Sequence, residues 1–201
     1  MEANTKKLQL NTVIKDIGML LLNENKQFLS VMELGGDWDT IMSLIEEREV
    51  FFSKVYKKRT TYLSRELYFL LKGFKQRALL GITEQKICEF LSQCGGADTE
   101  TIKAALMIED KKFKEVMDKL LESMNVTVLH HAKTLNPQWS SFVWGTYEQW
   151  EKSCKNVESP KNDDENRKKI ESILVKSMSI KEISNFLNRR GQNGNSYIQD
   201  F

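Results

Sequence analysis

Two prolines and ten glycines in 201 residues are too few for an all-β sandwich and too few for a disordered chain. Cysteine is scarce as well. Cys88, Cys94 and Cys154 are odd in number and form no Cys-x-x-Cys pair, which excludes a disulfide framework and a zinc ribbon and fits a reducing compartment. No apolar run approaches the roughly 18 residues of a membrane span. Met1 to Asn11 has no signal-peptide core, so the expectation is a cytoplasmic protein without a membrane partner. A Gly-rich phosphate loop is missing. Charge of one sign is missing too, since the net charge is only +2. That balance hides a division: residues 1–80 carry 13 basic and 10 acidic groups, residues 81–151 carry 7 and 11, and residues 152–201 carry 10 and 7.

The residues present set out a mainly α chain with a small β component, an α+β fold. Val13, Ile17, Leu20 and Leu21 at helical spacing predict a first helix over Thr12–Leu22. Asp37 is placed to cap a second, with Trp38, Ile41, Met42, Leu44 and Ile45 on its apolar side. Val50–Tyr56 and Thr60–Leu63 read as an extended segment or hairpin around Lys57-Lys58-Arg59. Ser64 then opens a helix with an apolar stripe of Leu67, Leu70, Leu71, Phe74 and Ala78.

From Gly81 to Trp150 the order is three short helices, a strand, a loop, a strand and a closing helix, the order of a winged helix-turn-helix. Thr83, Asp98 and Asp110 are the expected caps of the three helices, and Gln93-Cys94-Gly95-Gly96 the stop of the first. Val126–His130 and Phe142–Gly145 are the wing strands, with Asn136-Pro137-Gln138 between them. Thr146 and Gln149 form a capping box for the closing helix. The expected division is an N-terminal α/β unit over 1–80, with room for a second, degenerate winged-helix-like unit there. A winged helix over 81–153 follows, then a linker over 154–166, C-terminal helices over 167–189 and a flexible tail over 190–201. Ser179 with Glu182 is the capping box of the last helix.

Eight cations stand between Ser53 and Arg77, Lys54, Lys57, Lys58, Arg59, Arg65, Lys72, Lys75 and Arg77, against the single acid Glu66. Tyr56, Tyr62, Tyr68, Phe69 and Phe74 are interleaved with them. Cations neutralise phosphates and exposed rings stack on bases, so this segment has the composition of a nucleic-acid groove. The plainer reading is a solvated basic face whose rings belong to the core. The third helix of the winged unit, the expected recognition helix, offers Lys111, Lys112, Lys114 and Lys119 but also Glu115, Asp118 and Glu122. Neither Arg, Asn nor Gln stands on that face before Asn125, so the usual bidentate readers of guanine and adenine are missing. The wing adds Lys133.

A catalytic or metal site finds little support. His130 and His131 are adjacent on a strand, so their rings point to opposite faces and do not chelate one metal together. Cys88 and Cys94 read as buried small hydrophobes, and Asp98 and Asp110 as caps. The tryptophans read as packing residues; Trp139, in the wing, would stack on a base if exposed. Neither cofactor nor metal is implied.

The run Thr61-Tyr62-Leu63-Ser64-Arg65-Glu66-Leu67-Tyr68, the helix-turn-helix after it and Trp144-Gly145-Thr146-Tyr147-Glu148-Gln149-Trp150 together resemble the AlkZ-related group, from about Leu10 to Leu187. These are short relatives of winged-helix DNA glycosylases. The resemblance implies packed winged-helix units and, in the glycosylases themselves, excision of alkylated or crosslinked bases by a Gln-x-Asp or Gln-x-Gln pair. In this chain only Gln149-Trp150-Glu151 has a carboxylate two residues after a glutamine, and it lies in the closing helix. No catalytic residue is carried over. Three readings stand: a non-catalytic protein binding DNA by its backbone through Lys54–Arg77, with Lys111, Lys112 and Lys133 in support; a module that binds a protein or a second copy of itself; and a glycosylase with a non-standard site.

Overall fold

The computed structural model describes residues 2–75, 79–136, 139–154 and 162–188, an α+β chain with two small antiparallel sheets. Arg77, Pro137, Gln138, most of the expected linker and the expected tail lie outside the described residues.

The first helix, α1, spans Glu2–Ile17, and Met19–Leu21 form a strand, β1, where the hydrophobic spacing had predicted continued helix. The reason is Gly18. It takes the left-handed conformation (φ 82°) that ends helices, and its N–H closes the last turn on Ile14 O at 2.9 Å. After it, alternate residues of β1 are buried on opposite sides: Leu20 in one core cluster, Met19 and Leu21 in another. Asp37 caps α2 (Trp38–Glu46) as expected, accepting from Thr40 N at 2.8 Å. β2 (Val50–Tyr56) and β3 (Arg59–Ser64) form the hairpin, and the sheet order is β1-β3-β2. Its two-residue turn, Lys57-Lys58, has φ of 48° and 60°. Both signs suit a type I′ turn, which Asn-Gly adopts readily and a lysine pair does not. Each left-handed lysine costs on the order of 1–3 kcal/mol. Ser64 Oγ accepts from Leu67 N at 3.2 Å and starts α3 (Arg65–Lys75).

The second unit begins at α4 (Ile82–Cys94). Its N-cap is Gly81 rather than Thr83, and Gly95 ends it at φ 80°. Asp98 caps α5 (Thr99–Leu106) through Thr101 N at 2.8 Å. The N-cap of α6 (Asp110–Glu122) is Glu109, without a side-chain cap bond; Asp110 sits in the first turn, where a carboxylate still opposes the helix dipole. β4 (Val126–Asn136) and β5 (Trp139–Thr146) pair, and Ala97 adds a one-residue bridge to Trp144 with N···O distances of 3.0 and 2.9 Å. The capping box of Thr146 and Gln149 opens α7 (Tyr147–Lys152). α8 spans Asp163–Leu174 from an Asn162 cap, so Asp163 to Asn166 are helical rather than linker. Ser179 and Glu182 form the reciprocal bonds that open α9 (Ile180–Asn188).

Two core clusters meet at the first sheet. Val50, Phe52 and Tyr62 face one cluster, shared with α1, α2, α4, α5, α6, β4 and β5. Phe51, Leu63 and Tyr56 face the other, built with α3, Trp150, α8 and α9. Both clusters draw on residues from either side of residue 80. The sheet is therefore buried on both faces, which accounts for the unbroken Val50-Phe51-Phe52 run.

The units also interlock. The β2–β3 hairpin lies along α6, with Lys54 Nζ 2.5 Å from Asp118 and Lys58 Nζ 3.4 Å from Glu122. Reciprocally, the β4–β5 hairpin lies on α2, with His131 Nδ1 2.7 Å from Glu46 and the Trp38 and Phe142 rings 5.2 Å apart. Thr127 Oγ1 donates to Phe52 O at 2.9 Å, and Arg48 Nη1 to Leu129 O at 2.6 Å. The last helix before each hairpin is thus covered by the hairpin of the other unit.

Candidate nucleic-acid interface

The basic segment is dispersed by the fold. Besides Lys54 and Lys58, Arg65 Nη2 lies 3.4 Å from Glu49, which Lys15 also approaches at 2.7 Å. Lys72 Nζ lies 2.6 Å from Glu151, and Tyr68 donates its hydroxyl to the same oxygen at 2.6 Å. Four of the eight cations are therefore paired with carboxylates, three of them with acids beyond residue 81. The remaining described pair is at the hairpin tip. Lys57 stands over the Tyr56 ring at 5.0 Å, and Arg59 is exposed without a charged partner among the described residues. Lys75 lies on α3, but its side chain and all of Arg77 fall outside the described residues, as does the side chain of Lys133 on β4.

The interleaved rings are core. Tyr56, Tyr62, Tyr68 and Phe69 are buried, and Phe74 packs against the second cluster. Phe51 stacks on Tyr68 at 4.0 Å, with Trp150 against both at 5.1 and 4.9 Å. Burial alone pushes the Tyr62 hydroxyl far above its ordinary pKa. These rings offer no stacking platform to a single strand. Trp139 lies in β5 with its side chain outside the described residues.

On α6 the hairpin covers the Asp118 and Glu122 turns, and Lys119 faces Glu84 at 3.6 Å. Lys111, Lys112 and Lys114 remain exposed at the start of the helix, without charged partners among the described residues. Arg48, left-handed at φ 61°, ends α2 by donating to Ile45 O at 3.0 Å as well as bridging to Leu129. Burial lowers its pKa, opposed by Cys154 and Glu46.

The chemistry-bearing groups are engaged. Gln149 Oε1 accepts from Thr146 N at 2.8 Å, and its Nε2 donates to Leu91 O at 2.8 Å. Glu151 is taken by Tyr68 and Lys72. Burial pushes the Cys88 thiol up to about 12, helped by Glu148, Glu84 and Glu89, and the Cys154 thiol up to about 11. Neither is a ready nucleophile. His130 and His131 do not converge, since His130 Nδ1 meets His131 O while His131 takes Glu46. Among the described residues no group of three His, Cys, Asp or Glu side chains is placed to hold a metal, and no helix is long and apolar enough to cross a membrane.

The AlkZ-related family model matches residues 8–188. The chain belongs to that family. No curated protein and no solved structure matches it. In this AlkZ-related chain, sequence reasoning missed the acids Glu49, Asp118, Glu122 and Glu151 as partners of the basic segment. Asp118, Glu122 and Glu151 lie more than 60 positions from their partners, and the opposite net charges of residues 1–80 and 81–151 are the one sequence signal for those pairs; Glu49 pairs within residues 1–80 and has no such signal.

Proposed function

We propose that this AlkZ-related chain is a non-catalytic protein of two winged helices, packed face to face, that holds duplex DNA by its backbone. The observation that carries the reading is the fate of Gln149-Trp150-Glu151. The glutamine is spent on the α7 capping box and on Leu91, Trp150 is buried, and the carboxylate is held by Tyr68 and Lys72. No glutamine–carboxylate pair is left to orient a water, while family membership relates the chain to proteins that act on DNA. Each unit supplies a helix, a strand or single bridge, a helix before the hairpin, and the hairpin, with strand order 1-3-2; this supports the winged-helix reading. Duplex is favoured over single strand because the rings of the basic segment are buried. Backbone contact is favoured over base reading because both last helices are covered and exposed Arg, Asn and Gln are missing from α6.

Fluorescence anisotropy with two unrelated labelled duplexes tests it. The expected result is equal affinity for both and a steep linear fall of log K with log salt between about 50 and 200 mM. Undetectable binding at the lower salt overturns it. A second reading, pairing with a protein or another copy, is favoured by Leu79, just before the second unit, and by Ile82 and Met107 on it, 99%, 75% and 92% exposed. A dimer by light scattering, lost on changing these residues to Ser, would select that reading.

A further inference from the structure

We propose that the DNA-facing surface is assembled from three separated segments around Gln27: the loop before Phe28, the tip of the β2–β3 hairpin and the start of α9. It rests on the backbone-binding reading above and names where that binding occurs. Gln27 is the joint. Its Oε1 accepts from the Tyr56 hydroxyl at 2.6 Å, and its Nε2 donates to Glu182 at 3.0 Å. Phe28 packs edge-on to the same tyrosine at 4.8 Å, and Phe186 of α9 lies 6.3 Å from it. The joint sets exposed Lys26 and Lys181, the sequence neighbours of Gln27 and Glu182, beside the hairpin tip that carries Lys57 and Arg59. Lys57 acts electrostatically on Glu182, and the other three have no charged partner among the described residues. The acid at the joint, Glu182, is occupied by Ser179 N, Ser179 Oγ and Gln27.

A second observation singles out this surface. Lys57 and Lys58 both occupy left-handed backbone, at a two-residue turn that Asn-Gly would adopt without strain. Local conformational preference does not explain the lysines. Lys58 reaches Glu122 only at 3.4 Å and is 78% exposed, so its ion pair does not explain them either. Charge held at a hairpin tip against backbone preference is what a phosphate contact requires, and the fixed turn leaves little to order on binding. The partner is a double-stranded polyanion. The surface presents spaced cations and no exposed ring among the described residues; the Gln27 amide is taken at both ends, which leaves Arg59 as its one guanidinium, so it follows phosphates rather than sequence.

The test uses the full chain, a labelled duplex and three variants: K57N/K58G, K26A/K181A and, at the competing site that the start of α6 offers, K111A/K112A/K114A. The expected result is an affinity loss of about tenfold per removed contact at 0.1 M salt, with the salt slope lowered by about one for K57N/K58G, since Lys58 already pairs with Glu122, and by about two for K26A/K181A. The α6 variant stays close to wild type. The melting temperature of K57N/K58G is expected at or above that of wild type, because the turn is relieved. Wild-type binding that survives both surface variants and fails in the α6 variant overturns this surface and leaves the DNA reading standing. A melting temperature of K57N/K58G below wild type makes the lysines structural and overturns the proposal as well. Lack of wild-type binding removes the broader reading and this one together.

Discussion

The two units have one topology and different means of holding it. In each, a helix ends at a left-handed glycine, a strand or bridge follows, a helix leads into a hairpin, and the middle strand of the sheet is the last. In the second unit three helices precede the hairpin, and the place of a first strand is taken by the single bridge at Ala97. In the first, β1 is a full strand, and residues 22–36 have no helix where the second unit has α5. There a turn closed by Ser30 and Glu33 bonding each other does the connecting. The lesson is that strand order and the covering of the last helix persist when individual elements are lost, because those two features bury the core.

The strongest way to break the comparison is at the shared centre. Phe52→Ala should cost about 3–5 kcal/mol, since the ring touches Tyr62, Phe142 and Trp144 from both units. Chemical denaturation of the variant should show one transition by tryptophan fluorescence and by circular dichroism alike. Two separated transitions would mean that the units are stable apart.

Next come the paired glycines. Gly18 and Gly95 end the first helix of their units at φ 82° and 80°. A Cβ at Gly18 would lie 2.4 Å from Ile173 Cγ2 and 2.9 Å from Leu67 Cδ2, while a Cβ at Gly95 meets nothing within 4 Å. Gly95→Ala should therefore cost only the left-handed penalty, about 1–2 kcal/mol, and Gly18→Ala about 1–3 kcal/mol beyond that. Equal costs by urea titration would show that α8 does not press on the first unit.

The smallest effects concern the caps of the equivalent helices α2 and α6. Asp37→Ala should cost about 1 kcal/mol. The side-chain and backbone bonds from Thr40 hold the Asp37 carboxyl below its ordinary value of 3.8. Its contribution is therefore present above that pH and lost as pH falls through the lower folded value, so wild type and variant should converge in strong acid. Glu109 makes no cap bond, and Glu109→Asn should stabilise by about 0.5–1 kcal/mol. A loss instead would show that Glu109 has a role its cap geometry does not reveal.

What the sequence disclosed was local. Asp37, Asp98, the Thr146–Gln149 box and the Ser179–Glu182 box are short-range devices, and each is where its spacing predicted. Gly18 is equally local, but the hydrophobic period of Leu20 and Leu21 is compatible with both helix and buried strand and masks the stop. The candidate site was less legible. Lys54 and Asp118 lie 64 positions apart, and nothing in either neighbourhood marks the other. The opposite net charges of residues 1–80 and 81–151 are partly spent on each other. Lys26 and Lys181 carry no signal at all as isolated lysines; only the bonds of Gln27 bring them beside the hairpin.

Gly18 has a consequence for how the chain is made. Its missing side chain leaves the space that Ile173 and Leu174 of α8 approach, so the first turn of the fold is completed by residues near the other end of the chain. During synthesis the first sheet must wait, with Phe51 and Leu63 uncovered, until α8 has left the ribosome. Closure across so long a stretch is slow, and stopping synthesis short of α8 should yield a chain that chaperones retain rather than a smaller folded protein.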